Sequence, residues 1–360
     1  MRISFVLPTR SPVPVGGIRV AYEFANRLAA RGHQVAVVQP RTVAAPTGVQ
    51  ARAKASLWVR RYRRDPRALV PWFDVDERVR ILPVSHLDPA LLPDAEAAVA
   101  TPSWEPAHCV ADADASKGRG FFFIQGYDAW FSDEEVVKAA WRLPIQKIVI
   151  SSWLEDIAVG LGEGERTSRV PIGIDLDAFG IDAAPESRPA RLAALLNPNK
   201  GQEEILAAAE RARAADPTLT ATYFGTAAPP AELPAWAEYV QQPDRPTLRA
   251  LYNSAQVFLQ ASREEGWGLP ACEAMVCGCA LVTYDTGGSR EYAIDDETAR
   301  VVAEPGADGL AAAIGELSGD EALRLRLARS GSEGVAGFTW DRAVDEFEAV
   351  LSGAMQGRGR

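Results

Sequence analysis

Two glutamates, Glu265 and Glu273, flank a glycine-rich stretch in the second half of the chain, Gly266–Pro270. The stretch follows a short apolar run, Val257–Gln260, which is typical of a buried strand. Proline favours the first turn of a helix, so a helix is predicted from Pro270, and glycines let the backbone approach a ligand closely. Free N–H groups at a helix start suit phosphate or sugar oxygens, and carboxylates accept hydrogen bonds from vicinal hydroxyls. The pattern is therefore typical of a site for a phosphorylated polyol.

The same residues allow a structural interpretation. Glu265 would then cap the helix, and Glu273 would lie at the protein surface. A Gly-Gly pair, Gly287-Gly288, follows the next apolar run and precedes another predicted helix. It predicts either a second close approach to a phosphate or a simple turn.

Short apolar runs alternate with helical patterns along the whole chain, which predicts an α/β fold with parallel sheets covered on both faces. Two such series predict two facing, doubly wound Rossmann-like domains, with ligands at the carboxyl ends of the strands in the cleft between them. We expect domains at 1–175 and 176–340, and a last helix at 341–355 that packs back onto the first domain. The predicted strands are Ile3–Leu7, Gln34–Gln39, Val79–Pro83, Ala97–Ala100, Phe121–Gln125, Lys147–Ser151, Arg191–Leu196, Leu219–Phe224, Val257–Gln260 and Ala280–Thr283.

The composition narrows the possible functions. With 360 residues and a net charge of −10, the chain is not typical of a nucleic-acid binder. The four cysteines lack zinc-site spacing and predict buried thiols in a reducing cytoplasm. The first apolar run is too short for a signal peptide, and no run could span a membrane. One basic stretch with Trp58 and Tyr62 predicts either a solvated helix face or a peripheral contact with anionic lipid at the inner membrane face; its cations are Arg52, Lys54, Arg60, Arg61, Arg63, Arg64 and Arg67.

The block from Tyr252 to Glu291 resembles the signature of the retaining glycosyltransferases of family 4, which have the GT-B fold. That signature is a Glu, seven residues, a second Glu, Ala-Met-x-x-Gly and Gly-Gly-x-x-Glu, and every element is present. The resemblance implies a nucleotide-sugar donor, with Glu265 on the donor sugar and Glu273 on the ribose hydroxyls. It also implies that the donor meets the backbone at Gly266, Trp267, Gly268, Leu269, Gly287 and Gly288.

The resemblance extends to both ends of the chain. Gly16-Gly17 before a predicted helix, Val20–Arg31, is similar to the family's opening, and Gly17 would approach the leaving diphosphate and the acceptor. Lys200 follows the first strand of the second half, as the family's lysine does. It would neutralise the β-phosphate of the leaving nucleotide, where charge grows in the transition state.

Two departures from the family are evident. An arginine usually stands four to five residues before the lysine, where this chain has Leu195 and Leu196, unless an arginine from elsewhere replaces it; the candidates are Arg263, Arg290 and Arg10. A histidine that contacts the sugar 6-hydroxyl is replaced by the sequence Gln125-Gly126-Tyr127-Asp128. That sequence resembles a subgroup with rhamnan-type rhamnosyltransferases, which predicts a 6-deoxyhexose donor. Gln125 and Tyr127 would contact sugar or acceptor, and Asp128 would order one of them.

The predicted reaction is the metal-independent transfer of a sugar to a hydroxyl of a saccharide or small-molecule acceptor. No Asp-x-Asp motif lies in a suitable loop, so no metal or other cofactor is expected. Two alternatives remain open at this point. A sugar-nucleotide 2-epimerase shares the GT-B fold but needs acid–base groups at the sugar C2. A catalytically silent nucleotide-sugar-binding scaffold would explain the missing arginine and histidine.

Overall fold

A computed structural model describes residues 1–127, 129, 132–231 and 233–353 of the chain. Contacts between Cα atoms divide the molecule into two compact units. The first contains Met1–Pro171 and the chain from Ala343, and the second is Ile172–Arg342. The joint expected from the sequence, at 175/176, lies a few residues further along the chain.

The first unit is built on a seven-stranded sheet with the order β3-β2-β1-β4-β5-β6-β7. All its strand pairs are parallel, so each crossover passes over a face of the sheet. Its strands are β1 Arg2–Val6, β2 Gln34–Pro40, β3 Arg80–Val84, β4 Ala97–Ala100, β5 Arg119–Ile124, β6 Gln146–Val149 and β7 Thr167–Arg169. Its helices are α1 Gly16–Ala30, α2 Val49–Arg64, α3 Trp104–Ala111, α4 Glu134–Trp141 and α5 Ser152–Gly160.

The second unit has a six-stranded parallel sheet with the order β10-β9-β8-β11-β12-β13. Its strands are β8 Arg191–Leu195, β9 Thr220–Gly225, β10 Ala237–Gln241, β11 Val257–Gln260, β12 Ala280–Tyr284 and β13 Arg300–Val302. Its helices are α6 Gln202–Ala215, α7 Arg245–Asn253, α8 Leu269–Val276, α9 Ala307–Gly319 and α10 Glu321–Val335. A last helix, α11 Trp340–Leu351, begins in this unit and continues into the first.

The part of α11 that belongs to the first unit is tied to that unit's core. The ring of Phe347 packs against Phe24 at 4.4 Å between centroids, and also against Phe5 and Phe123. On the outer side, the Nε2 atom of His33 lies 2.8 Å from Glu348. His33 therefore has a structural contact, as its place at a helix-to-strand turn suggests.

Both sheets are parallel throughout, and the predicted α/β fold class is confirmed. Three strands were missed: Thr167–Arg169, Ala237–Gln241 and Arg300–Val302. All three are edge strands, and none of their residues is fully buried, so they lack the continuous apolar run that marks a central strand. Among the described residues, no helix is both long and apolar enough to span a membrane.

Candidate functional site

An ion pair joins two loops at the carboxyl ends of neighbouring strands β8 and β11. The Nζ atom of Lys200 donates to both carboxylate oxygens of Glu265, at 2.7 and 2.8 Å. The Oγ atom of Ser262 donates to Glu265 Oε1 at 2.7 Å. Because carboxyl ends of parallel strands meet at one edge of a sheet, residues 65 positions apart come together.

The loop that carries Lys200 is fixed by local backbone features. Asn197 accepts a hydrogen bond from the N–H of Asn199 and opens a 3-10 turn, Pro198–Lys200. Gly201 follows with φ +72°, and a Cβ atom there would lie 2.2 Å from the carbonyl oxygen of Ala261. Only glycine therefore allows the two loops to approach this closely.

The side chains of this pair are partly shielded from water. The exposed fraction is 35% for the Lys200 side chain and 12% for that of Glu265. The adjoining cavity is lined by both residues and by Gln260, Ser262 and Pro270. An ammonium group that is partly exposed can donate to a phosphate oxygen in addition to, or in place of, its carboxylate partner.

The first turn of α8 lies directly after Glu265 and presents free backbone donors. Gly268 is the residue before the helix and has φ +101°. The carbonyl oxygen of Trp267 accepts a hydrogen bond from Tyr292 Oη at 2.9 Å. The helix begins at Leu269 rather than at the predicted Pro270, which occupies its first turn. The described residues offer no acceptor to the N–H groups of residues 266–269. With the positive end of the helix dipole, these groups are suited to an anion, and their contact with the donor remains a prediction.

The N–H groups of Gly287 and Gly288 both donate inside the protein, unlike those of a phosphate-binding loop with free N–H groups. The N–H of Gly288 donates to the carbonyl of Glu265 at 3.0 Å, and the N–H of Glu265 donates to Thr286. The N–H of Gly287 donates to Asp285. Both glycine amides are thus used inside the protein, and the pair fixes the backbone of Glu265. Direct contact of Gly287 and Gly288 with the donor remains a prediction.

The structural interpretation of the two glutamates is wrong for both residues. No side chain caps α8, and Glu265 instead binds Lys200. Glu273 is only 3% exposed and does not lie at the surface. It is not among the residues that line the cavity beside Glu265, and its contact with ribose hydroxyls remains a prediction.

Trp267 is a core residue of the second unit. Its ring is 3% exposed and packs edge-on against Phe338 at 5.0 Å between centroids. The side chain is therefore unavailable to a ligand, and only its backbone N–H fits the predicted donor contact. Phe338 also anchors Ile174, whose N–H donates to the Phe338 carbonyl at 2.8 Å.

The three arginines considered as replacements for the missing family arginine all have other partners. Arg263 binds Glu204, and Arg290 binds Asp285 at 2.9 Å. Arg10 donates to the hydroxyl of Tyr62 at 2.7 Å. Lys200 is thus the cation that the structure places beside Glu265 and the start of α8.

Two residues beside Glu265 were not predicted. Ser262 is buried and bonds Glu265 directly, and its position three residues earlier in the same loop was the available signal. Glu264 is half-buried, and burial together with the charge of Glu265 raises the pKa of its carboxyl above the ordinary value. The adjacent glutamates in the sequence could have indicated this like-charge pair.

In the first unit, Gly16 and Gly17 form the first turn of α1 and not a loop before it. The helix begins four residues earlier than predicted because both glycines adopt helical backbone there. The Nε2 atom of Gln125 donates to the Gly17 carbonyl at 2.9 Å and to Thr101 Oγ1 at 2.8 Å. Two predicted residues are thereby brought together, and Thr101, which was not predicted, completes the group.

The sequence after Gln125 is only partly described. The hydroxyl of Tyr127 donates to Glu134 at 3.1 Å, and its ring packs edge-on against Trp141. Burial raises the pKa of the Tyr127 hydroxyl, and the nearby Glu134 raises this pKa further. Asp128 lies outside the described residues, so its role in ordering sugar or acceptor remains a prediction.

No group of three or more His, Cys, Asp or Glu side chains suited to a metal is found in the described ranges. The four cysteines are free and buried, and burial raises the pKa of Cys277 and Cys279 to about 12. Such thiols are poor ligands and poor nucleophiles.

Most of the second unit is similar in sequence to a known family. Residues 192–333 match the family model described as "Glycosyl transferases group 1". The D-inositol 3-phosphate glycosyltransferase of Salinispora tropica is 36% identical over 110 residues, which are 30% of this chain and 22% of that protein. The glycogen synthase of Mycobacterium tuberculosis is 30% identical over 198 residues, 49% of this chain and 48% of that protein. The matches thus cover about half or less of these relatives.

Comparison with solved structures supports the fold of the whole chain. The Anabaena protein HepE, solved in complex with UDP-glucose, matches with a TM-score of 0.74 and 15% identity, over 98% of this chain and 100% of that one. At this identity the likeness concerns the fold alone. The family match and the Glu265–Glu273 signature both lie in the second unit, where residues 192–333 are similar to the glycosyltransferases of group 1.

Proposed function

We propose that the chain is a retaining glycosyltransferase that moves a sugar from a nucleoside diphosphate to an acceptor hydroxyl. The observation that supports this most strongly is the contact between Lys200 and Glu265 beside the free N–H groups of α8. A cation and a helix start suit a diphosphate, and a carboxylate beside them suits the hydroxyls of the attached sugar.

In the proposed reaction, the donor diphosphate binds Lys200 and the N–H groups of residues 266–269. Glu265, released from part of its contact with Lys200, accepts hydrogen bonds from the donor sugar, and Glu273 is assigned to the ribose hydroxyls. The bond between the anomeric carbon and the diphosphate oxygen breaks, and the acceptor oxygen attacks from the same face. The acceptor proton passes to the leaving phosphate oxygen. Lys200 lowers the barrier by neutralising the charge that develops there.

The test is a panel of nucleotide sugars incubated with the purified chain, with release of nucleoside diphosphate as the readout. Turnover in the wild type and its loss in Glu265→Ala, with an unchanged melting temperature, support the proposal. Unchanged turnover in Glu265→Ala contradicts the assignment of this site. The anomeric configuration of the product, read by NMR, tests retention.

The identity of the donor sugar is a finer proposal that depends on Gln125. Both amide hydrogens of Gln125 are donated inside the protein, to Gly17 and Thr101. It cannot donate to a sugar hydroxyl as well without breaking one of these bonds. A 6-deoxyhexose requires no donor at that position, so we propose dTDP-rhamnose as the first substrate to test. Faster hydrolysis of UDP-glucose than of dTDP-rhamnose contradicts this proposal.

Gly17 is assigned to the leaving diphosphate and the acceptor, and Gln125 and Tyr127 are assigned to the donor sugar or to the acceptor, which is a saccharide or small-molecule hydroxyl. The reaction is proposed to be cytoplasmic, consistent with the four free thiols, and to require no metal, so a chelator should leave the rate unchanged. Two outcomes favour the alternatives. Binding of a nucleotide sugar without turnover favours a silent scaffold, and formation of the C2 epimer without an acceptor favours an epimerase.

A further inference from the structure

Helix α2 differs in charge from the rest of the molecule. Its sixteen residues carry no aspartate or glutamate, whereas the chain as a whole has a net charge of −10. It has six cations: Arg52, Lys54, Arg60, Arg61, Arg63 and Arg64. Such a concentration of like charge in an acidic protein calls for a partner of opposite charge.

These six cations are all exposed, and no carboxylate of the described residues pairs with any of them. Only Arg61 has a described contact, with its guanidinium 5.6 Å from the centre of the Tyr62 ring. Elsewhere, the exposed Arg78 and the half-buried Arg249 are paired with aspartates. Exposed arginines without a described carboxylate partner, such as Arg80 and Arg329, occur singly, whereas α2 gathers six such cations in sixteen residues.

The exposed face of α2 also carries an apolar stripe. Val49, Ala53 and Leu57 follow one another at intervals of four residues and lie on one side of the helix. Val49 is 85% exposed and Leu57 is 64% exposed. The opposite side, with Ala55 and Tyr62, is buried against the protein. An outward face of apolar residues flanked by cations fits the boundary between lipid headgroups and acyl chains.

Helix stability does not explain this arrangement. Cations near a helix C-terminus interact favourably with the dipole, which accounts for Arg61, Arg63 and Arg64. The same dipole gives no stabilisation to Arg52 and Lys54 in the first half, and it does not account for the 64% exposure of Leu57. Helix stability therefore does not account for the combination of cations along the whole of α2 with exposed apolar residues.

We propose that α2 lies on the surface of an anionic lipid bilayer, with Leu57 and Val49 inserted among the headgroups and the cations on lipid phosphates. Arg10, in the loop that leads to Gly16 and Gly17, donates to Tyr62 of this helix. Since Tyr62 is on the buried side of α2, the helix would lie between that loop and the bilayer. If the proposed transfer reaction is correct, this position suits an acceptor that is itself anchored in the membrane.

The test is co-sedimentation of the full chain with vesicles of phosphatidylcholine, with or without phosphatidylglycerol. We expect binding only to the anionic vesicles, weakened by added salt. The variant Arg52→Gln/Arg60→Gln/Arg64→Gln should bind about 100-fold more weakly, because each of the three cations contributes about a factor of five near an anionic surface. Leu57→Gln should weaken binding several-fold, and this loss should persist at high salt.

The matched control removes the same charge from the second unit, in Arg211→Gln/Arg326→Gln/Arg329→Gln, and should bind like the wild type. Vesicle binding requires no turnover, so its result is independent of the proposed reaction. Equal binding to neutral vesicles, or equal losses in the α2 variant and the control, contradicts the proposal. Binding of soluble dextran sulfate without binding of vesicles would instead assign α2 to an anionic glycan and also overturn it.

Discussion

The two units place different chemistry at the same structural position. In each, side chains gather at the carboxyl ends of parallel strands beside the start of a helix. In the second unit these side chains are charged, with Lys200 on Glu265 before α8. In the first unit they are neutral, with Gln125 on the Gly17 carbonyl at the start of α1. The charged position suits a diphosphate, whereas the neutral one suits a hydroxyl.

The difference predicts that loss of charge in the second unit has the largest effect on turnover. Lys200→Met should lower kcat/KM about 100- to 1000-fold, because the diphosphate loses its counter-charge and Glu265 loses its partner. Initial rates with the best donor from the panel provide the measurement. Lys117→Met is the matched control, since Lys117 pairs with Asp94 at 2.9 Å in the first unit. Equal losses in the two variants would mean that the effect is structural.

The units should also differ in their tolerance of side chains at the paired glycines. A Cβ atom on Gly288 would lie 2.3 Å from the carbonyl oxygen of Gly266, whereas one on Gly17 would meet the Pro102 side chain at 3.0 Å. We expect Gly288→Ala to lower the free energy of unfolding by about 3 kcal/mol and Gly17→Ala by less. Urea unfolding measures both, and a larger loss for Gly17→Ala would reverse the comparison.

Removal of the neutral group should have a smaller effect on turnover. Gln125→Ala loses two hydrogen bonds, to Gly17 and Thr101. A net loss of roughly 1.4 kcal/mol for the two bonds would lower kcat/KM about 10-fold. Thr101→Val removes one of the two acceptors and should cost less. If Gln125→Ala lowers kcat/KM as much as Lys200→Met does, the first unit contributes more to the reaction than positioning.

The sequence predicted the charged position better than the neutral one, for a physical reason. Glu265, Lys200 and the glycines lie in a short motif with fixed spacing, and carboxylates and lysines are unusual in buried positions. The hydrogen bonds of Gln125 to Gly17 and Thr101 join three segments that are distant in the sequence, and no local sequence pattern predicts them. The sequence did not predict the edge strands Ala237–Gln241 and Arg300–Val302, because a strand at a sheet edge pairs through its backbone and lacks a continuous apolar run.

The engaged amides of Gly287 and Gly288 show a second limit. A Gly-Gly pair predicts close backbone approach, but the approaching group here is the Gly266 backbone and not a ligand. Likewise, Trp267 has the place of a ligand contact in the motif, whereas its ring belongs to the core. A motif indicates where the chain must be compact and leaves open whether protein or ligand fills the space.

The smallest predicted effect concerns pH and Glu264. Its pKa is raised in the folded protein, so the folded state holds this proton more tightly than the unfolded state. The stabilisation is present below the ordinary pKa and is lost as the pH rises through the folded value. Glu264→Gln should therefore flatten the fall in melting temperature that begins as the pH rises above the ordinary glutamate pKa, about 4. The same slope in variant and wild type would assign the fall to other groups.

The central claim is that the donor diphosphate binds the second unit at Lys200 and the first turn of α8. A crystal structure with the preferred nucleotide sugar tests it most directly. We predict diphosphate oxygens within hydrogen-bonding distance of Lys200 Nζ and of the N–H groups of residues 266–269, with a sugar hydroxyl on Glu265. A diphosphate bound elsewhere, with Lys200 still holding both oxygens of Glu265, would contradict the claim.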